Sequence, residues 1–175
     1  MIVEDVGLEA MRGGVGAVLG EWRDVVVPSE VDCRAANQYS PRYAWMFSYE
    51  KRLRDRLQEA LGRRLGAVER LLFGADGVFS EALSNAFVHG HRRDPDRPIE
   101  VTSVVGTRRL AFAVRDTGPG FDIRPVLEGL ARGGTYFHNA GNGLRALHQR
   151  EEVLASFTGG GSVLNLSVGL HSGSG

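Results

Sequence analysis

The sequence predicts an α+β fold, a two-layer sandwich in which a mostly antiparallel sheet carries helices on one face. Apolar residues recur at three- and four-residue steps over residues 41–65 and 67–89, which is typical of amphipathic helices. After residue 98 the period changes to two, and turn residues separate the alternating stretches. Hairpins with intervening helices favour a sheet that is covered on one face.

Length and composition limit the function classes. The 175 residues, 42% of them hydrophobic, can bury one sizeable core, and a second domain of ordinary size would not fit. Basic and acidic residues each number 21, so the net charge of zero gives no case for direct binding to nucleic acid or to a membrane. The single cysteine, Cys33, excludes an internal disulfide framework, and no signal peptide or long apolar span is recognisable. A cytoplasmic location is therefore expected.

The N-terminal part of the chain gives few clear signals. Residues 1–21 have mixed periodicity, so we predict an N-terminal arm or short helix added to a domain over residues 22–170, with a flexible tail at 171–175. A strand is predicted from Trp22 to Val27, where β-branched residues cluster before a proline that cannot extend a ladder. The two amphipathic helices follow, the second weakened by Gly74 and Gly77 and ending at Gly90.

The second half of the chain predicts the rest of the sheet. A charged loop with two prolines precedes strands on either side of a Gly106-Thr107 turn. Residues 124–131 suggest a short helix within a glycine-rich stretch, and a further helix is predicted from Gly143 to Arg150. The strands 153–157 and 162–168 flank three glycines and predict a last hairpin.

A polar stripe runs along the second helix. Glu81, Asn85 and His89 are four residues apart, and positions at this spacing drift by only about 40° around a helix. The amide oxygen of Asn85 suits Mg²⁺, which usually takes one or two ligands from a protein. Glu81, one turn away, could take a proton from a hydroxyl that attacks a phosphate. Taken alone, the stripe favours a solvent-facing polar edge. For His89, a partial positive charge at the helix C-terminus is favoured over contact with a phosphate or a lid.

Two glycine motifs follow. Asp116 ends the alternating strand LAFAV and is followed by Thr117-Gly118-Pro119-Gly120, so its acceptor-only carboxylate emerges where the backbone can fold away sharply. Gly141-Asn142-Gly143 precedes Leu144 and a short apolar helix, an arrangement whose bare amides accommodate phosphate. Each motif is weak alone, since DTGPG is also an ordinary turn.

Together, in this order and spacing, the motifs resemble the Bergerat-fold ATP-binding superfamily, known as GHKL, of DNA gyrase, the heat-shock chaperone ATPase and histidine kinases. The anti-sigma-factor serine/threonine kinases are the branch it resembles most. The resemblance covers roughly residues 22–170. It implies that Asn85 binds Mg²⁺, that Glu81 is the catalytic base and that Asp116 reads the amino group of adenine. It also implies ATP-binding roles for the residues of the glycine motifs and the last hairpin: Gly118, Gly120, Gly141, Gly143, Leu144 and Ser162. Packing within a strand is an equal alternative for Ser162.

The function implied by this resemblance is an ATP- and Mg²⁺-dependent serine/threonine protein kinase. It would phosphorylate a small anti-anti-sigma antagonist of the STAS type and bind a sigma factor or a similar regulator, as a homodimer. Two alternatives stay open. The chain could be the detached catalytic domain of a histidine kinase, although residues 41–65 contain no phosphoacceptor histidine. It could also be a nucleotide-gated module that binds a partner without catalysis.

Overall fold

A computed structural model of the chain describes residues 1–32, 41–132 and 147–170. A six-stranded sheet has the order β1-β5-β6-β4-β3-β2. Its strands are β1 (Ile2–Glu4), β2 (Val18–Val26), β3 (Ile99–Gly106), β4 (Arg109–Arg115), β5 (Val153–Thr158) and β6 (Val163–Gly169). β1 pairs with β5 in parallel, and all other neighbouring strands pair antiparallel. The predicted fold class is therefore confirmed.

Helices cover one face of this sheet. They are α2 (Pro41–Leu61), α3 (Glu69–Leu72) and α4 (Val78–Asn85). Two further helices are α1 (Leu8–Arg12), near the start of the chain, and α5 (Arg124–Ala131), which follows β4 in the sequence. Residues four apart in α2, such as Tyr49, Leu53 and Leu57, are fully buried. The ring of Phe79 from α4 packs 5.0 Å from that of Phe112 in β4. The main core thus lies between this layer and the sheet.

The second predicted helix is two helices rather than one. The predicted helix 67–89 is broken between α3 and α4, because Phe73 is extended and Gly74 has a φ of +95°. A side chain at Gly77 would overlap the carbonyl oxygen of Leu72, so the chain can pass so close to α3 only with glycine there. After α4 the chain continues as a π-helical turn over Ala86–Gly90. Because of this break, α4 is a separate helix, and the turn that follows it lies near the end of β4.

The first 21 residues join the sheet at both of its edges. They supply β1, which pairs with β5, and the first residues of β2, which pairs with β3. Between them, α1 lies on the face opposite α2 and α4. There Met11 and Val15 pack against Val104 and Ala111 in a small second core. Within the described ranges, no helix combines the length and the apolar character that crossing a bilayer requires.

Candidate functional site

A cavity of about 270 Å³ lies where three segments meet. These segments are α4 with the π-helical turn after it, the loop that follows β4, and the β5–β6 hairpin. Three polar side chains, Asn85, His89 and Asp116, face a wall that is otherwise apolar or glycine. The apolar part comprises Ala82, Ala86, Val114, Pro119, Phe121, Phe157 and Leu164. A mostly apolar cavity with a few convergent polar groups is typical of a small-molecule site.

Asp116 is held at the floor of this cavity by backbone hydrogen bonds. Its amide nitrogen donates to the carbonyl oxygen of Ser162 at 3.0 Å, which ties the end of β4 to the hairpin. The amide of Gly118 donates to its Oδ1 atom at 2.7 Å. Burial raises the pKa of the Asp116 carboxyl, while the Gly118 hydrogen bond and the nearby Arg97 guanidinium lower it to a smaller extent. One carboxylate oxygen therefore remains a candidate acceptor for a ligand.

Four glycines allow the cavity walls to approach each other. A Cβ atom at Gly90 would overlap the carboxyl group of Asp116, and one at Gly118 would overlap the carbonyl oxygen of Gly90. Gly120, with a φ of +69°, lies against the carbonyl of Gly160, and Gly161 lies against Phe121. Any larger residue at these positions would push the walls apart or fill the space between them. The predicted role of Gly118 and Gly120 in shaping the pocket is consistent with this arrangement and stays a prediction.

The stripe on α4 is present in the structure. Asn85 lines the cavity, and its Nδ2 atom is buried without a hydrogen-bond partner among the described residues. Glu81 is half-buried beside it. Burial raises the pKa of Glu81, and the neighbouring Asn85 amide and His89 lower it to a smaller extent. The two side chains are neighbours, and the Asn85 amide nitrogen makes no hydrogen bond of standard geometry within the described part of the chain. His89 lines the cavity as well.

Of the remaining predicted site residues, only Ser162 is among the described residues. Ser162 contacts Asp116 through its backbone, while its hydroxyl donates to the carbonyl oxygen of Gly159 at 2.8 Å. Gly141, Gly143 and Leu144 lie outside the described residues, so their predicted phosphate-binding role stays a prediction.

Two residues at the site were not singled out by the motifs. Phe121 follows the second glycine of DTGPG, is 39% exposed and packs edge-on against Phe157, with ring centroids 5.0 Å apart. An aromatic residue directly after a glycine turn is a sequence signal that could have identified it. His91 directly precedes the charged loop and is buried against the backbone of Thr117. No periodicity in the sequence marks it.

Metal ligands are sparse at this site. Among residues 1–32, 41–132 and 147–170, no three His, Cys, Asp or Glu side chains cluster closely enough to hold a metal ion. Mg²⁺ bound together with a nucleotide commonly takes only one or two protein ligands. Asn85 and Asp116 both place a side-chain oxygen on the cavity wall. Of the two, Asn85 is the residue for which the sequence predicts Mg²⁺ binding.

Comparisons with known proteins match this part of the chain. A model of the histidine kinase-like ATPase domain matches residues 48–167, a range that includes every residue lining the cavity. A curated relative, the anti-sigma F factor of Shouchella clausii (strain KSM-K16), is 30% identical over 73 residues. That alignment covers 35% of this chain and 50% of the relative, so the chain spans about half the length of the relative it matches.

Proposed function

This chain belongs to the histidine kinase-like ATPase domain family, and we propose that it is an ATP-dependent serine/threonine protein kinase of the anti-sigma-factor type. It phosphorylates a small anti-anti-sigma antagonist of the STAS type and binds a sigma factor or a similar regulator, as a cytoplasmic homodimer. Similarity to a protein named anti-sigma F factor supports the choice of this branch. The observation that carries the nucleotide part is the Asp116 carboxylate on the floor of a glycine-walled apolar cavity.

The cavity fits the adenine end of ATP. Its apolar wall suits a flat heteroaromatic ring, and Asp116 offers an acceptor to the exocyclic amine of adenine. Guanine has a carbonyl at the equivalent position, which would face the carboxylate and be repelled. The space beside Gly90 and Gly118 would be filled by any side chain there. These features together support selection of adenine over guanine.

Residues of α4 suit the phosphate end. The Asn85 side-chain oxygen would bind Mg²⁺, and Gly141, Gly143 and Leu144 would contact the phosphates. ATP, when bound, supplies the phosphoryl group. Glu81 would accept the proton of the attacking serine or threonine hydroxyl on a carboxylate oxygen, and burial raises its pKa towards the range useful for a base. Positioning and electrostatics would carry most of the remaining catalysis.

Isothermal titration with ATP and Mg²⁺ tests the binding part. The wild-type chain is expected to bind, Asp116→Ala to lose binding, and Asn85→Ala to lose the magnesium dependence of the affinity. Asp122→Ala is the matched control, because Asp122 is exposed and pairs with Arg124 outside the cavity. If the wild-type chain shows no heat and no competition with a labelled nucleotide, the proposed function is wrong.

Phosphate transfer tests the kinase part. The chain is incubated with γ-labelled ATP and a purified STAS-type antagonist encoded near its gene, and the phosphorylated residue is identified. Acid-stable phosphoserine or phosphothreonine that disappears in Glu81→Gln, but not in the exposed Glu59→Gln control, supports the proposal. Acid-labile phosphohistidine would instead indicate a histidine kinase. ATP binding without any transfer would indicate a nucleotide-gated binding module.

A further inference from the structure

His91 lies behind the candidate adenine site rather than in it. Its side chain is 1% exposed, and it does not line the cavity. It packs under the loop that carries Asp116, and its imidazole faces the backbone of Thr117, the residue after Asp116. No role in the proposed phosphate transfer requires a buried histidine at this place.

The hydrogen bonds of His91 define its protonation state. Its Nε2 atom accepts a hydrogen bond from the amide nitrogen of Thr117 at 3.0 Å and lies 3.2 Å from the hydroxyl oxygen of Thr117. A ring nitrogen that accepts from an N–H group carries no proton itself. The imidazole must therefore be neutral, with its proton on Nδ1, an atom that is buried without a partner among the described residues.

The backbone around His91 is built to hold it there. Its amide nitrogen donates to the carbonyl oxygen of Ala86 at 2.9 Å, which closes the π-helical turn. Arg92 and Arg93 follow with φ angles of 54° and 66°, a left-handed conformation that residues other than glycine rarely adopt. The amide of Arg93 donates to the carbonyl oxygen of Phe87 at 2.8 Å. This tight reversal returns the chain immediately after His91 and keeps its ring beneath Thr117.

We propose that neutral His91 is a positioning residue for Asp116, whose carboxylate it keeps in place by fixing the adjacent Thr117 amide, and that protonation of His91 releases this loop. This proposal rests on the proposed nucleotide site. A protonated imidazole would present an N–H group to the Thr117 N–H group, so two donors would meet and the loop would have to move. Asp116 would move with it, because Asp116 and Thr117 share one peptide unit.

The groups around His91 determine the pH range. Burial lowers the pKa of His91, Arg97 lowers it further, and Asp116 and Asp94 raise it to a smaller extent. The neutral form therefore dominates at neutral pH, and it is lost only as the pH falls below the ordinary value of 6.5. Asp116 also titrates with a raised pKa, so the experiment must separate the two groups.

Binding of ADP with Mg²⁺ is measured by calorimetry from pH 7.5 to pH 5.0 in three chains: wild type, His91→Gln and His91→Ala. The glutamine oxygen can accept the Thr117 hydrogen bond and cannot be protonated in this range. Titration of the nucleotide phosphates is common to all three chains and cancels in their ratios. Asp116 is present in all three chains as well, and comparison of His91→Gln with His91→Ala, neither of which titrates at residue 91, shows how much of the pH profile comes from Asp116. His148→Ala is the matched control, because its ring accepts a backbone N–H from Ile2, away from the cavity.

The expected result has two parts. At pH 7.5, His91→Ala binds ADP roughly tenfold more weakly or worse, because a buried backbone N–H loses its acceptor, whereas His91→Gln and His148→Ala bind like wild type. As the pH falls to 5.0, wild type loses roughly three- to tenfold more affinity than His91→Gln. Equal affinities at pH 7.5 in wild type and His91→Ala, or equal pH profiles in wild type and His91→Gln, would overturn the role of His91 while ATP binding itself stands.

A second measurement decides the matter if no nucleotide binds. In that case the proposed function fails, and nuclear magnetic resonance of the free chain reads the contact directly. Long-range ¹H–¹⁵N spectra should show an unprotonated Nε2 at pH 7.5, and the Asp116 carboxyl carbon should shift as His91 titrates. An Asp116 signal that ignores the titration of His91, or a protonated Nε2, would refute the positioning role.

Discussion

Gly90 and Asp116 are in such close contact that a single methyl group would separate them. A Cβ atom at Gly90 would overlap the Asp116 carboxyl group, which lines the cavity. We therefore expect Gly90→Ala to weaken ATP binding by about tenfold or more, the effect of displacing one buried hydrogen-bonding group. Isothermal titration measures this change.

The control for this substitution is Gly66→Ala. Gly66 has a negative φ and nothing within 4 Å of its Cβ position, so alanine fits there. Unchanged affinity in both variants would show that the Gly90–Asp116 contact does not determine nucleotide binding.

Glu50 is a buried carboxyl group away from the cavity. It is 2% exposed on α2 and accepts a hydrogen bond of 2.5 Å from the hydroxyl of Ser80 on α4. The Ser80 oxygen in turn accepts the amide of Gly74 at 3.0 Å. Burial raises the pKa of Glu50 from 4.5 to about 7, against smaller lowering effects of Ser80 and Arg54. The folded chain therefore binds this proton more tightly than the unfolded chain does.

The consequence is a stability that falls with rising pH. Between pH 4.5 and about pH 7 the folded state retains a proton that the unfolded state has lost, so the free energy of unfolding decreases as the pH rises through this window. Glu50→Gln removes the titration. It should be more stable than wild type at pH 8, by up to about 3 kcal/mol, and similar at pH 4.5. Urea unfolding at both pH values checks this, with the exposed Glu59→Gln as control; parallel changes in all three chains would contradict it.

Sequence reasoning identified the side chains whose chemistry is distinctive. The cavity includes Asn85, Asp116 and Gly120, which were expected from a helical stripe and a glycine turn. His91 and Phe121 were missed, because their positions depend on a π-helical turn and on a contact between two loops. No local pattern encodes the position of His91, whereas the aromatic residue directly after the glycine turn is a local signal for Phe121.

The short helix α1 stabilises the outer face of the sheet through a small cluster. Val15 is fully buried there against Val104 and Ala111, whereas Val25 on the edge strand β2 is 69% exposed. Val15→Ala should lower the free energy of unfolding by about 2 kcal/mol, from lost burial and a partly unfilled cavity. The same substitution at Val25 should change it by about 0.5 kcal/mol or less. Denaturant unfolding of both variants tests this, and an equally small effect at Val15 would show that the cluster contributes little.

Elements long enough to show a clear hydrophobic periodicity were predictable, and the shortest strand was not. The strands β3 to β6 and the helix α5 follow the alternation and turn residues seen in the sequence. β1 has only three residues and finds its partner some 150 positions away, so no local period could show it. The break before α4 depends on the approach of Gly77 to the end of α3, which is a tertiary contact.

Nucleotide binding should stabilise the whole fold, because the cavity joins α4, the end of β4 and the last hairpin. A ligand at about 100 times its dissociation constant adds about 2.7 kcal/mol. For a chain of this size, that corresponds to a rise of roughly 5–10 °C in the melting temperature. ATP with Mg²⁺ should give this shift, and GTP, or ATP with Asp116→Ala, should not. Differential scanning calorimetry measures it; equal shifts with ATP and GTP would contradict adenine selection by Asp116.

The pairing of β1 with β5 also orders events during synthesis of the protein. The strand that contains residue 2 has no partner until residue 155 has been synthesised. At ribosomal speeds of about 5–20 residues per second, that delay lasts roughly 8–30 s. The cavity is also incomplete until this hairpin has been synthesised, since Phe157, Gly161 and Leu164 form part of its wall. A nascent chain that stalls before this hairpin emerges would therefore carry an unpaired edge and have no complete nucleotide pocket.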